Sequence, residues 1–270
     1  SYRGVYTSGV LDVLMEHDVY PDCVVGVSAG ALNGVGYVAR QPGRCRDVVL
    51  QYGLDPRYVG TKALRREHNL VGFDFILREM QEILPFDEET FYHGGIKFYA
   101  AVTNCRTGVQ EYIDRDGPGD IMQAVAASSS MPFLCRKVTL EGTPYLDGGI
   151  GKHLPLDFLD QHPEYDRVVM ILTRRLEYRK KPVGGAMRNL GKRLYRDYPA
   201  LLRNILTEPE LYAAERQEIA RAEGMLKNEK FISKAPAAVV DAQREKLENA
   251  RRMLKQLEES EERLQKLSSH

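Results

Sequence analysis

Apolar and polar positions along this chain follow periods that change at clear points. Val5, Val10, Leu11 and Leu14 recur at helical spacing, which predicts a first helix ending near His17. Pro21-Asp22 breaks the pattern. Cys23 to Val27 then reads as a short buried strand, and Ala29 to Ala39 returns to helical character. Residues 43–95 read as helices and loops, with an amphipathic stretch from Phe73 to Leu84. Strands are expected at Lys97 to Thr103 and Val109 to Ile113, joined by a hairpin turn from Asn104 to Gly108. A helix over Ile121 to Ala127 is stopped by Ser128-Ser129-Ser130 and Pro132. Residues 167–173, with Val168-Val169-Met170-Ile171-Leu172 at their centre, give the clearest buried-strand pattern. From Gly185 to Lys227 the spacing is helical, a short strand follows at Lys230 to Ile232, and a charged helix runs from Asp241 to Leu267. Strands separated by helices predict a three-layer α/β/α sandwich around a central, mostly parallel sheet.

Leu247, Leu254, Leu257 and Leu264 put one apolar stripe on the last helix. Such a stripe packs a helix along its own domain, or forms a short coiled-coil contact. The expected division is a main domain over 1–235 and a charged helical extension over 236–270.

The 270 residues, 43% hydrophobic, suffice for a large core. Lys+Arg and Asp+Glu each number 38, so no net field favours nucleic acid, and attraction to a membrane must come from a local cluster. Cys23, Cys45, Cys105 and Cys135 lie far apart, which argues against a disulfide framework or a zinc site and for a cytoplasmic setting. No run of apolar residues reaches the length of a membrane span.

The chemistry concentrates at Gly26-Val27-Ser28-Ala29-Gly30, a G-x-S-x-G sequence between a predicted strand and a predicted helix. In that setting the turn is a nucleophile elbow. Small residues let the backbone bend sharply and leave the Ser28 hydroxyl exposed, and the helix directs its N-terminal N–H groups at a developing oxyanion. Asp147, in Tyr145-Leu146-Asp147-Gly148-Gly149, offers a carboxylate at the end of an extended segment. A carboxyl of ordinary pKa about 3.9 is a weak base, so this role needs direct contact with the hydroxyl in a partly desolvated site. Read by itself, Asp-Gly-Gly is equally a turn.

Together these segments resemble the patatin-like phospholipase family, in particular its bacterial branch. The resemblance rests on Tyr2-Arg3-Gly4 followed by Val5 to Leu11, on Gly26 to Gly30, on Ala124 to Phe133, and on Asp147-Gly148-Gly149. It implies a lipid acyl hydrolase of phospholipase A or esterase type, with Ser28 as nucleophile, Asp147 as its base and no cofactor or metal. It further implies that Ser1, Tyr2, Arg3 and Gly4 belong to an oxyanion loop. The family's first strand and the first glycines of that loop would then precede Ser1.

Two other readings are open. An α/β-hydrolase would complete a Ser28–Asp147–His153 or Ser28–Asp147–His162 triad, although that fold places its elbow later in the chain. A non-catalytic scaffold would merely retain the fold. Finally, nine basic residues between Arg174 and Arg196, opposed only by Glu177, form either a solvated face or a patch for peripheral contact with an anionic membrane.

Overall fold

The computed structural model describes residues 4–165, 167–173 and 183–207. The chain divides into two compact units, Ser1–Glu164 with Met170–Ala213 and Tyr165–Val169 with Ala214–His270. The second contains few described residues, and the account below concerns the first.

The chain enters through α1 (Gly4–Glu16), β1 (Cys23–Val27) and α2 (Ala29–Val38). Next come α3 (Arg44–Tyr52), α4 (Thr61–Glu67), a π turn at Phe75–Glu79 running into α5 (Met80–Ile83), and α6 (Glu88–His93). Strands β2 (Lys97–Asn104) and β3 (Gln110–Asp114) form the expected hairpin, followed by α7 (Ile121–Ser128). After β4 (Val138–Leu140) and β5 (Thr143–Asp147) come a 3-10 turn at Gly148–Ile150, α8 (Leu156–Gln161) and α9 (Gly185–Leu194). Residues 199–207 are helical.

β2 is the hub of a mixed five-stranded sheet: parallel β1 and antiparallel β5 follow one another along one edge of it, antiparallel β3 lines the other edge, and β4 pairs β5. Successive β2 side chains point to opposite faces. Phe98 and Ala100 pack with Val35 and Val38 of α2, Phe91 of α6 and Val125 of α7. On the other face, Tyr99 meets Phe158 of α8 with ring centroids 4.9 Å apart. Helices therefore cover both faces of the sheet, and the α/β sandwich read from the sequence is the fold.

Residues 167–173 form no strand, and Val168, Val169 and Met170 are exposed. An apolar run becomes a strand only where a neighbour supplies ladder partners, and among the described residues none pairs with this one. β4 went unread because three residues, Val138-Thr139-Leu140, are too short to show a period.

Candidate active site

The sheet register sets the site. Val27, the last residue of β1, pairs Ala101, and Asp147, the last residue of β5, pairs the next residue of β2, Val102. β3 holds the opposite edge of β2 at these positions, so β1 and β5 share one edge and their ends, which carry Ser28 and Asp147, meet there. Ser28 Oγ donates to Asp147 Oδ2 at 2.7 Å. The other oxygen, Oδ1, accepts the Gly149 N–H at 2.8 Å, which holds the carboxylate plane. Asp147 is buried, whereas Ser28 is half-buried.

Ser28 has φ 56°, ψ −125°, a conformation that side chains rarely adopt and that costs about 1–3 kcal/mol. Gly26 makes the turn possible, because a methyl group there would stand 2.3 Å from Ala31 Cα. Gly148 is equally constrained, with the Ala101 carbonyl oxygen 2.2 Å from where its methyl would be. Gly30 differs: a methyl there would meet nothing within 4 Å, so it leaves the approach open rather than permitting a contact.

The segment after α7, read from the sequence as a helix stop, grips both residues. Ser128 Oγ accepts the Ser28 N–H at 2.9 Å, and Ser129 Oγ donates to the Ser28 carbonyl at 3.0 Å. The Ser130 carbonyl accepts the Asp147 N–H at 2.9 Å. Thr103 Oγ1 lies 2.8 Å from the Asp147 carbonyl, toward which it donates, and accepts the Gly151 N–H at 2.9 Å. These polar groups were invisible as site residues; the one available signal was three consecutive serines ahead of the aspartate.

Gly4, the described part of the expected oxyanion loop, begins α1 beside the elbow. A methyl on it would lie 3.5 Å from Ala29 Cβ. Asn33 fixes this approach by donating to the Gly4 carbonyl at 3.2 Å and accepting from Ser8 Oγ at 2.6 Å. The N-termini of α1 and α2 thus meet next to Ser28. Ser1, Tyr2 and Arg3 lie outside the described residues. Asp12, on the same face of α1, accepts the Gly43 N–H at 2.7 Å, and burial raises its carboxyl above the usual range. An apolar cavity beside the elbow is lined by Gly4, Ala29, Leu32, Val49, Ile76 and Phe86 among others.

His162 stacks on Phe158 with centroids 4.1 Å apart and meets Glu164 at 3.1 Å. His153 lies beside the Asp-Gly-Gly turn: its Cδ2 is 3.9 Å from a methyl placed on Gly149. Of the basic cluster, Arg174, Arg175, Arg179, Lys180 and Lys181 lie outside the described residues; Arg188, Lys192, Arg193 and Arg196 are exposed. Among the described residues no group of three or more His, Cys, Asp or Glu could hold a metal ion, and no helix is long and apolar enough to cross a membrane.

Fold and site together define a class: an α/β protein of hydrolase type, with a serine elbow joined to a buried carboxylate where two strands end on one edge of the hub strand. A sequence profile of the patatin-like phospholipase family matches residues 2–160, and the chain belongs to that family. It is 30% identical over 159 residues to YjjU, an uncharacterized protein of Escherichia coli (strain K12). The match takes in 57% of this chain and 44% of that protein, so the chain spans less than half of its relative. Residues 209–268, the charged leucine-striped segment, match a profile described as the valyl tRNA synthetase tRNA binding arm. That segment also lies outside the described residues.

Proposed function

We propose that this chain hydrolyses the carboxylic ester of an acyl lipid, in the manner of a phospholipase A or esterase, through an acyl-Ser28 intermediate. One observation carries the reading: Ser28 Oγ donates directly to Asp147 Oδ2 at 2.7 Å from a strained elbow at a helix N-terminus. A hydroxyl already bonded to a carboxylate leaves no place for an imidazole between them, which favours a dyad over a triad.

In the first step the Ser28 oxygen attacks the ester carbonyl while its proton passes to Asp147. The oxyanion develops where the N-termini of α1 and α2 converge, and the Ala29 N–H, next after the nucleophile, is its nearest backbone donor. The leaving alcohol takes the proton back from Asp147. In the second step Asp147 accepts a proton from water, whose oxygen attacks the acyl carbonyl and returns Ser28 to its hydroxyl. The apolar cavity beside Ala29 holds the acyl chain.

A fluorophosphonate probe tests this. It should label Ser28, and Ser28→Ala should abolish both labelling and turnover of a short-chain ester. Asp147→Asn should be nearly as damaging, and the double variant no worse than either single one, because the two act as a unit. Silence toward the probe in the folded chain would favour a scaffold that has kept the fold.

A further inference from the structure

We propose that the outer face of α9, with Met131 and Leu134 beside it, is a docking surface for an anionic lipid bilayer next to the active site. On α9, Met187, Leu190 and Leu194 follow the i, i+3, i+7 pattern and occupy one narrow arc of the helix. Their exposures are 40%, 40% and 49%, high for three aliphatic side chains on one short helix. Arg193 borders the arc on one side. Arg188 and Lys192 lie on the other, beyond Gly191, the helix's buried residue. α9 contains no acidic residue. An exposed aliphatic arc bordered on its solvent side by Arg193, with Arg188 and Lys192 across the packed side of the helix, matches a bilayer surface, where the apolar groups enter the acyl boundary and the basic groups meet anionic headgroups. A protein partner would need no such uniform charge.

The helix is anchored to the site. Gly191 lets α9 close on Phe133: a methyl there would stand 3.3 Å from the Phe133 ring. Tyr195, which follows α9, accepts the Phe133 N–H at 3.0 Å and packs with Leu146 and Ile150, residues that bracket Asp147 in the chain. Phe133 stands three residues after Ser130, at most about 11 Å along the chain. Met131 and Leu134, in this same stretch, add exposed aliphatic surface, and Arg136 and Lys137 add exposed charge. A bilayer on this face would lie against the rim of the site, so an acyl lipid could reach Ser28 without crossing water.

The test uses the full chain carrying Ser28→Ala, so that vesicles stay intact and binding is read apart from turnover. Vesicles of equal parts phosphatidylcholine and phosphatidylglycerol should carry the protein down on sedimentation. Leu190→Ser with Leu194→Ser should lower the partition coefficient by about tenfold or more. Arg193→Gln, the basic residue beside the arc, should lower it by about fivefold at low salt. With Ser28 intact, both variants should leave hydrolysis of a soluble short-chain ester unchanged. Failure of the chain to sediment with these vesicles, or an unaltered partition coefficient in the leucine variant, would overturn the proposal. A loss of soluble-ester turnover in these variants would do so too, by giving the residues to the site or the fold.

Discussion

Replacing Ser128 by alanine should damage catalysis more than its distance from the reacting atoms suggests. Ser128 is fully buried, and its Oγ is the acceptor for the Ser28 N–H at 2.9 Å. Alanine removes the acceptor, and water has little access to replace it. A buried donor left without a partner costs about 1–3 kcal/mol. The strained backbone of Ser28 stores a similar amount, about 1–3 kcal/mol, so the lost bond is comparable to the strain it helps to hold. Released, the elbow relaxes toward ordinary φ values and carries Oγ away from Asp147. A displacement of about 1 Å at a reacting group can cost about a hundredfold in rate. The expected result is therefore a stability loss of about 1–3 kcal/mol by urea unfolding, with kcat for p-nitrophenyl butyrate falling about ten- to a hundredfold and KM little changed. Ser130→Ala is the control, since that hydroxyl donates to the Ala126 carbonyl within the helix end and does not touch Ser28. A Ser128→Ala protein that loses the predicted stability but keeps kcat within about twofold of the parent would refute the reasoning, because the bond would then serve the fold alone.

Two further expectations concern the neighbourhood of the elbow. Burial raises the folded-state pKa of Asp12 above its ordinary 3.8, so the folded chain binds a proton there that the unfolded chain has released. Stability should consequently fall as pH rises from about 4 through the folded value. Asp12→Asn, which keeps an acceptor for the Gly43 N–H, should remove that contribution; parallel pH profiles of urea unfolding for the two proteins would sink the idea. Ile76→Trp should narrow the apolar cavity and lower kcat/KM for long acyl chains relative to short ones by about tenfold, roughly the worth of two methylenes denied burial at about 0.8 kcal/mol each. An unaltered chain-length profile would place the acyl group elsewhere.

The elbow was legible because its signal is local: strand, G-x-S-x-G and helix lie within one stretch from Cys23 to Val38. Asp147 was legible only through resemblance, since Asp-Gly-Gly by itself reads as a turn, and nothing in its spacing reveals that β5 lies beside β2. The serines at 128–130 carried the signature of a helix end, which they are. Their second task depends on contacts with residues more than 100 positions away in the case of Ser129. Residues 167–173 misled for the opposite reason. Their apolar run has strand character, but a ladder needs two strands, and one segment cannot report on its neighbour.

The meeting of β1 and β5 on one edge of β2 has a consequence for how such proteins diversify. Ser28 and Asp147 are 119 residues apart in the chain, yet two backbone ladders and one three-serine grip set the distance between them. The stretch from α3 to α6 and the loop between β3 and α7 can be lengthened, trimmed or exchanged without altering the reach of a hydroxyl to its carboxylate. What cannot drift lies elsewhere: the register along β2, the close approaches at Gly26 and Gly148, and the grip itself. Chains built this way can keep one reaction while trading nearly the whole of the surface that chooses its substrate.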